Sequence, residues 1–556
     1  MSTKNEKKRA DYLKQGGVLA FASLLVRFIG MVYRIPMSNI LGEKGNGIYA
    51  VAFEIYDVIL IISSYSLPLA LSKIISGQQA KRQHRNTGRT FRVAMVFAVV
   101  SGGIFCLLLL FGAGFIERNI YPEYEGVQIP LRVLAPTIFI VALLGVFRGF
   151  FQGKKTMMPT AVSQIVEQVI NAVVSVAASY LFMKWNAESL QQAAWGAAGG
   201  TLGTCLGAAS ALLIVLFVYW IYRPVQAKLE RRDRNPRNYS SIYLFKILII
   251  TIIPIVLSQT VYNISGLIDY KIFGAIYGSK GGVDEHTISQ LVGVYSSKYR
   301  LLCSVPIAVS TAVASSMIPS AVAAFTNGDT KQWKKNVSSG IKFNMIVAIP
   351  CAAGLMMLGI PIVKMLFYSH EYVQGVPSHV FGGRMLMTGA VAIVFYALSN
   401  VTGGALQSID KMRLPVIHSA VSLAIHVCLV ALLLKYTDVG IYALIIGNVT
   451  FPIIVYILNL MAIKRYVPSY RQEAVKTFLA PVAASLWMGV AVALVYWLLA
   501  KLFSSNLVCT LLSVCVGVFV YFMAFLILRG LTKDELYDFP MGRRLYLLAR
   551  KLHVMN

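Results

Sequence analysis

The stretch LLVRFIGMVYRIPM, residues 24–37, has the apolar composition of a membrane-spanning helix and yet carries Arg27 and Arg34. Residues seven positions apart lie nearly two helical turns apart, so both guanidinium groups leave the same face of the helix. A charged side chain that faces lipid is costly, and such residues therefore line a cavity or a protein interface in membrane proteins. The stretch predicts a spanning helix with one cationic face.

The composition of the whole chain extends this prediction to the fold. Of the 556 residues, 57% are hydrophobic and 13% are charged, whereas a water-soluble protein has about a quarter charged residues. Apolar runs of about 20 residues, long enough to cross a bilayer, recur from end to end. We therefore predict an all-α polytopic membrane protein without a sizeable soluble domain. The cysteines lie in apolar runs without metal-ligand spacing, so no metal site is predicted.

Fourteen transmembrane spans are predicted from these runs. They cover residues 16–41, 47–75, 93–116, 127–150, 157–183, 194–221, 243–275, 288–325, 341–367, 379–404, 413–435, 440–463, 474–500 and 507–529. Lys and Arg crowd into alternate links such as KRQHRNTGRTFR and KLERRDRNPR, and the remaining links are neutral to acidic. The positive-inside rule places the basic links and both termini in the cytoplasm. The net charge of +28 thereby indicates contact with anionic membrane lipids, and no nucleic-acid partner is predicted.

Two short patterns occur twice along the chain. LPLALS at 67–72 matches VPIAVS at 305–310, and GFFQGKKTMMP at 149–159 matches GALQSIDKMRLP at 404–415. Their order and spacing predict two six-helix lobes with the same orientation, related by a pseudo-two-fold axis along the membrane normal, with a cavity between them. We assign residues 1–240 to the N-lobe and 241–470 to the C-lobe. Spans 13 and 14, at 471–530, and a basic cytoplasmic tail, 531–556, follow the repeat.

Several charges lie deep in the predicted spans. Arg27 is about 16 Å from the cytoplasmic end of its span, near the midplane, and Arg34 lies at the depth of Glu54 and Asp57 on the next, antiparallel span. Arg34 is thus expected to pair with one of these carboxylates. All such charges could equally form buried ion pairs that lock helices together. Further deep or link charges are Lys298, Arg300, Glu167, Asp269 and Asp410, whereas Arg148 is expected to snorkel to an interface.

The guanidinium group is suited to phosphate because its planar fork binds two oxygens at once. Deep arginines on both lobes therefore predict an anion site in the cavity. The chain has no P-loop, no H-E-x-x-H sequence and no nucleophile elbow, so an enzyme is not predicted. A G-x-x-x-G-x-x-x-G series at Gly199, Gly203 and Gly207 predicts tight helix packing.

A long N-terminal stretch also resembles a known family. VRFIGMVYRIPMSNILGEKGNGIYAVAFEIYDV, residues 26–58, followed by SSYSLPLALSKIIS, is similar to the start of the MurJ / SpoVB / YtgP proteins. These are polysaccharide biosynthesis transporters of the MATE-like (MOP) flippase superfamily. The two link motifs, GFFQGKKTMMPTAVSQIVEQ and GALQSIDKMRLPV, are similar to the family's repeated links. The resemblance covers essentially the whole chain.

The resemblance implies a V-shaped transporter that alternates between inward-open and outward-open states. MurJ-like members move lipid II, the undecaprenyl-pyrophosphate-linked peptidoglycan precursor, from the inner to the outer leaflet. Their cationic cavity has arginines on spans 1, 2 and 8. Arg27 and Arg34 match the span-1 pair and Arg300 approximates the span-8 arginine, but the expected segment of span 2 contains no arginine. Spans 13 and 14 correspond to the family's groove for the lipid tail.

These observations together predict a lipid II flippase of the bacterial plasma membrane, acting as a monomer without a cofactor. The pyrophosphate ligands are Arg27, Arg34, Arg300 and Lys298, the gating ion pair involves Glu54 and Asp57, and candidates for sodium or proton coupling are Glu167, Asp269 and Asp410. Membrane potential acts on any charge that moves, and cell-wall synthesis proteins are candidate partners. The missing span-2 arginine leaves flippases for teichoic-acid or capsule precursors open. Two further function classes compete with this prediction, a MATE-type drug/cation antiporter and a membrane glycosyltransferase.

Overall fold

A computed structural model describes the backbone of residues 2–233, 238–280 and 283–530. The described chain is almost entirely helical and contains one two-residue β-hairpin, β1 (Tyr372–Val373) paired antiparallel with β2 (Val376–Pro377). The helices are α1 (Ser2–Leu60), α2 (Leu67–Ala80), α3 (His84–Phe115), α4 (Gln128–Gly153), α5 (Met158–Trp185), α6 (Gln192–Arg231), α7 (Ser241–Gly278), α8 (Glu285–Val294), α9 (Leu301–Thr326), α10 (Thr330–Leu366), α11 (Ser378–Gly389), α12 (Ala392–Ser408), α13 (Arg413–Tyr436), α14 (Tyr442–Tyr466), α15 (Ala480–Leu502) and α16 (Asn506–Ile527). This confirms the all-α polytopic class. The predicted tail at 531–556 lies outside the described residues.

The described helices can be compared with the fourteen predicted spans. Twelve helices in the described part of the chain are long and apolar enough to cross a membrane, or thirteen if the bent pair Ser378–Gly389 and Ala392–Ser408 forms one span. The first of them, Leu25–Ala80, covers both predicted spans 1 and 2. The count of fourteen therefore stays a prediction. It requires that Leu25–Ala80 form two spans separated near residue 42.

The predicted outer link at residues 42–47 contains a kink, at which two helical segments of α1 meet. Only Gly42 departs from helical geometry, with φ 66° and ψ −179°, a left-handed conformation that glycine adopts without a Cβ clash. The residues after it are buried, with Glu43 only 2% exposed. A Cβ at Gly47 would collide with the backbone carbonyl of Ser289 in α8. The chain thus breaks its helix at Gly42, and the helical segment that follows the kink packs closely on α8.

The two repeated link motifs fold into the same turn. In the first, the N–H of Lys155 donates to the carbonyl of Gln152 at 2.9 Å, and Lys155 has a φ of 63°. In the second, the N–H of Asp410 donates to the carbonyl of Gln407 at 3.1 Å, and Asp410 has a φ of 60°. Both residues occupy the third position after the shared glutamine. The repeat noticed in the sequence is therefore present in the backbone of the two links.

Helices α5 and α6 pack through the predicted glycine series. A Cβ at Gly199 would collide with the backbone of Ala178, and one at Gly203 would collide with Ser175. At Gly207 the added carbon would lie 2.6 Å from the carbonyl oxygen of Glu167. Small residues allow this approach of two backbones. The prediction of tight packing at these glycines is confirmed.

The chain forms two compact units, Met1–Gly293 and Val294–Asn556. The first unit contains α7, which packs against α1, α2 and α3, so the packing boundary does not fall at the predicted residue 240. The lobes inferred from the sequence repeat stay a prediction. In the second unit α15 and α16 pack on α10, where the Tyr521 hydroxyl donates to the Ile346 carbonyl at 2.8 Å. A lipid-tail groove along these two helices also stays a prediction.

Candidate functional site

The intramembrane half of α1 is positioned by α5. A Cβ at Gly30 would lie 3.0 Å from Nε2 of Gln168, and Nδ2 of Asn171 donates to the Tyr33 hydroxyl at 3.4 Å. These contacts fix one side of α1 against its neighbour. Arg27 and Arg34 project beside that packed face, since they stand about 60° and about 40° around the helix from Gly30 at about 100° per residue.

Arg27 is exposed within its own unit. In the described part of the chain its guanidinium group has neither a hydrogen bond nor an ion pair. A cation in an apolar helix is retained only where water, an acidic group or a ligand compensates its charge. Arg27 is thus available to an anion from outside the chain.

Arg34 is half-buried and, unlike Arg27, interacts with neighbouring side chains. Its guanidinium carbon lies 5.7 Å from the centroid of the Phe53 ring, within the range of a cation–π contact. Arg34 also interacts electrostatically with Asp57 and Tyr49. The sequence identified the nearby carboxylate but not the aromatic ring, which lies one residue before Glu54.

Glu54 lies against α7. A Cβ at Gly266 would come within 2.7 Å of the Glu54 carboxylate carbon and of both its oxygens. Glycine at position 266 therefore provides the space that this carboxylate occupies. Of the two carboxylates predicted for gating, Asp57 interacts with Arg34, and Glu54 packs on a neighbouring helix.

Glu167 forms an ion pair with Arg148 of α4. The Nη2 of Arg148 lies 2.6 Å from Oε2 of Glu167, and Nε of the same arginine donates to the Ser163 hydroxyl at 3.0 Å. The expectation that Arg148 snorkels to an interface is wrong, because its side chain is directed to α5 and is only 13% exposed. The carboxylate of Glu167 lies close enough to compensate the charge of the guanidinium group, so the side chain does not extend to the membrane surface.

The remaining two candidates for ion coupling lie in different surroundings. Asp269 on α7 is 5% exposed. Two residues on, Nζ of Lys271 lies 3.0 Å from Glu123, which ties this end of α7 to the segment before α4. Asp410 is exposed in the turn between α12 and α13. No group of three His, Cys, Asp or Glu residues that would hold a metal ion occurs among the described residues.

In the second unit, Lys298 and Arg300 share one π-helical segment, Tyr295–Arg300. Lys298 is 1% exposed, and its amine donates to the hydroxyl of Ser378 at the start of α11. A Cβ at Gly382 would lie 2.8 Å from Cδ of Lys298, so the lysine stem packs directly on that helix. Arg300 is half-buried. The two cations predicted as one group thus have different environments.

The first link motif contains Lys154, to which the sequence assigned no role. Nζ of Lys154 donates to the Tyr222 hydroxyl at 2.9 Å and to Oε1 of Gln226, and it lies 4.8 Å from the centroid of the Phe150 ring. Burial lowers the pKa of Lys154 to about 8, although the carboxylate of Glu230 acts in the opposite direction. The sequence does show one sign of this arrangement, an apolar helix end followed directly by a basic turn.

Three comparisons relate the chain to known proteins. Residues 12–325 match the family model described as "Polysaccharide biosynthesis protein". The lipid II flippase MurJ of Bacillus subtilis (strain 168) is 26% identical over 87% of this chain and 88% of its own length. Among solved structures, a lipid II flippase MurJ in an inward closed conformation has a TM-score of 0.62 at 16% identity, covering 91% of this chain and 97% of its own.

A multidrug resistance MATE family transporter of the MOP superfamily, in an inward-facing conformation, has the same fold. Its TM-score is 0.65 at 16% identity, and the match covers 81% of this chain and 100% of the transporter. At this identity the two solved structures carry information on the fold alone. They confirm the predicted MOP architecture and do not distinguish between substrates.

Proposed function

The chain belongs to the polysaccharide biosynthesis protein family, and from that membership we propose that it is a flippase for a lipid-linked oligosaccharide in the bacterial plasma membrane. One curated relative, matched over 87% of this chain, is a lipid II flippase, and we propose lipid II as the substrate. The protein would carry the glycan head group across the membrane by alternating access while the polyprenyl tail stays in lipid. It would act without a catalytic step or a cofactor.

The observation that carries this proposal is the state of Arg27. Its guanidinium group is exposed on an apolar helix and has no partner within the described chain. A pyrophosphate supplies two negative groups with oxygens that match the guanidinium fork. We assign Arg27 as the first phosphate ligand and Arg34 as the second, and Arg300 stays the candidate phosphate ligand of the second unit. Lys298 is assigned to hold α11 in position, since its amine is engaged with Ser378.

Arg34 also supports a gating role for Asp57. The two side chains interact electrostatically, and a bound pyrophosphate would compete with the carboxylate for the guanidinium group. A ligand shifts a conformational equilibrium only through such a difference in contacts between states. Membrane potential would add about 2.3 kcal/mol per 100 mV for each charge moved. Among the candidates for sodium or proton coupling, Asp269 is the one that is both buried and outside the Arg148–Glu167 pair.

One feature of the sequence favours a second candidate, a flippase for another undecaprenyl-linked glycan such as a teichoic-acid or capsule precursor. The segment IYDVILIISSYSLP contains no arginine where the resemblance implies one. The pyrophosphate would still be bound by the arginines named above, and the head group would differ. A drug/cation antiporter is disfavoured because Arg27 and Arg34 would repel an organic cation.

Complementation tests the substrate and the site together. A bacterium depleted of its lipid II flippase would receive the wild-type chain, Arg27→Ala or Arg118→Ala, the last as a matched charge loss at an exposed position directly after α3. We expect growth with wild type and Arg118→Ala, and at least a tenfold loss of viable cells with Arg27→Ala. No rescue by well-expressed wild type would overturn lipid II as substrate. Full rescue by Arg27→Ala would remove the phosphate role of that arginine.

A further inference from the structure

A cluster of arginines surrounds a cavity of about 370 Å³ at the end of the first unit where α2 meets α3 and α6 ends. This end corresponds to the basic links predicted to be cytoplasmic. Arg85, Arg89 and Arg92 line it from α3, Arg231 from the end of α6, and Asn238 from the segment before α7. Among the described residues of this lining Glu230 is the one acidic side chain, so together they carry a net positive charge.

Three of the arginines are held by backbone carbonyls. Nε of Arg85 donates to the carbonyl of Glu230 at 3.2 Å, Nη1 of Arg89 to Tyr239 at 3.0 Å, and Nε of Arg92 to Gly88 at 3.4 Å. A carbonyl fixes the orientation of a guanidinium group without neutralising its charge. In the described part of the chain none of the three forms an ion pair. Their remaining N–H donors are thus oriented and available to an anion.

The segment that completes the cavity is also anchored. The N–H of Tyr239 donates to Oδ1 of Asn86 at 3.1 Å, and the N–H of Arg85 donates to Asp233 at 2.8 Å. These bonds join the start of α3 to both sides of the α6–α7 link. The arginine cavity is therefore part of the folded unit rather than a chance arrangement of long surface side chains.

An apolar groove of about 730 Å³ begins at the same cavity. Arg92 lines both the groove and the arginine cavity. From Arg92 the groove follows α3 past Val96, Val100 and Ile104, with Ile242 and Phe245 of α7 on its other side. These apolar side chains are 45–82% exposed. The groove thus extends along the membrane-spanning part of α3 with a cationic cavity at one end.

We propose that the cavity and groove together form a binding site for one anionic glycerophospholipid. The phosphodiester of the head group would bind Arg85, Arg89 and Arg92, because guanidinium groups form charge-assisted hydrogen bonds with phosphate oxygens. An acyl chain would lie in the groove, where it covers exposed apolar side chains. Basic pockets between helices at the cytoplasmic side of membrane proteins bind lipid head groups in this way. The site is separate from the proposed glycan site and does not depend on it.

The combination of a cationic cavity and an apolar groove selects an anionic lipid as the ligand. A soluble phosphate compound would use the cavity and leave the groove empty, whereas a zwitterionic lipid would use the groove and bring a cation to the arginines. Only a lipid with a net negative head group satisfies both parts. The lipid would join α3 to α7 at the end of the unit where the α6–α7 link crosses between them.

The test measures phospholipid binding to the purified full-length protein by native mass spectrometry and by thermal unfolding. Phosphatidylglycerol, phosphatidylcholine and glycerol 3-phosphate serve as probes. The head-group variant is Arg85→Gln/Arg89→Gln/Arg92→Gln, and Lys331→Gln/Lys335→Gln/Arg413→Gln is a control with the same loss of charge at exposed positions of the second unit. For the groove, Val100→Trp fills it, and Val99→Trp adds the same bulk to an exposed position of α3 outside the groove.

We expect wild type to retain one phosphatidylglycerol at least tenfold more tightly than phosphatidylcholine, and its Tm to rise on adding phosphatidylglycerol. Both effects should disappear in the head-group variant and in Val100→Trp, and persist in the two controls. Equal binding of the two lipids to wild type would overturn the proposal. So would retention by the head-group variant equal to that of its control, or full competition by glycerol 3-phosphate. A head-group variant that does not fold leaves Val100→Trp and the lipid comparison to decide.

Discussion

Arg148 and Glu167 form an ion pair that joins α4 to α5, with Nη2 and Oε2 2.6 Å apart. The side chains are 13% and 27% exposed, and the same arginine also binds the Ser163 hydroxyl. Two charges that the sequence assigned separately, one to an interface and one to ion coupling, therefore compensate each other. The pair also lies next to the contact between α5 and α6, since the carbonyl of Glu167 faces Gly207.

Removing one member of this pair should reduce stability. Glu167→Ala leaves a partly buried guanidinium group without its carboxylate, a loss of about 1–3 kcal/mol. We expect a lower Tm in detergent, with Glu188→Ala, at an exposed position of the α5–α6 link, as the control. The double variant Arg148→Met/Glu167→Ala should recover part of the loss, because no unpaired charge remains. A Glu167→Ala protein with unchanged Tm and altered sodium dependence of transport would instead support ion coupling at this residue.

Adding the same methyl group at two glycines on different helices should have different effects on the Tm. Gly203→Ala forces α5 and α6 apart, because the new carbon would collide with Ser175; overpacking of this kind costs about 1–3 kcal/mol. Gly112→Ala on α3 meets no atom within 4 Å, and alanine favours a helix over glycine by about 1 kcal/mol. Thermal unfolding in detergent should show a decrease in Tm for the first and no decrease for the second. Equal effects would contradict the close approach of α5 and α6.

The amine of Lys154 should lose its proton at an unusually low pH. Burial lowers its pKa from 10.5 to about 8, so acylation of this residue should rise with a midpoint near pH 8, as measured by mass spectrometry. The same peptide acylated after unfolding is the control and should show the ordinary lysine midpoint. Because the unfolded chain holds this proton up to a higher pH, stability should rise from about pH 8 to 10.5. Lys154→Met should abolish that part of the rise, and identical midpoints in the folded and unfolded protein would contradict the burial.

Lys298 and Arg300 should separate in function although they lie two residues apart. Lys298→Met loses the hydrogen bond to Ser378, so we expect a decrease in stability of about 1 kcal/mol with little change in substrate affinity. Arg300→Met should lower lipid II binding at least tenfold. Binding to purified protein and thermal unfolding measure the two quantities independently. A loss of affinity in Lys298→Met at unchanged Tm would return that residue to the phosphate site.

The sequence predicted what depends on composition and periodicity. Apolar runs identified the membrane helices, and the spacing of Gly199, Gly203 and Gly207 identified a helix contact that α5 and α6 then form. The repeat predicted two equivalent links, and the backbone turns at Lys155 and Asp410 are the same. Each of these signals is local, because a few neighbouring residues determine the outcome.

The sequence does not predict which side chains on neighbouring helices become partners. Depth along a helix places Arg148 near a membrane surface but does not reveal that Glu167 lies beside it. Similarly, GEKGNG has the composition of a loop, whereas the structure has a kink at Gly42 followed by a helical segment that packs on α8 at Gly47. Arg34 was predicted to pair with either Glu54 or Asp57, and deciding between these two carboxylates requires the position of α7.

Asp57→Asn should separate substrate binding from transport. In the proposed mechanism Asp57 competes with the pyrophosphate for Arg34, so neutralising it removes the competitor and should tighten lipid II binding several-fold. Transport should nevertheless slow, because without the carboxylate the empty state is less well stabilised and resetting becomes unfavourable. Glu54→Gln is the matched control, since that carboxylate lies against Gly266; its binding affinity should stay within about twofold of wild type, a difference below about 0.5 kcal/mol. Affinity measured on purified protein and flipping measured in proteoliposomes together decide the matter: weaker binding in Asp57→Asn would show that the carboxylate supports the substrate site rather than competing for it.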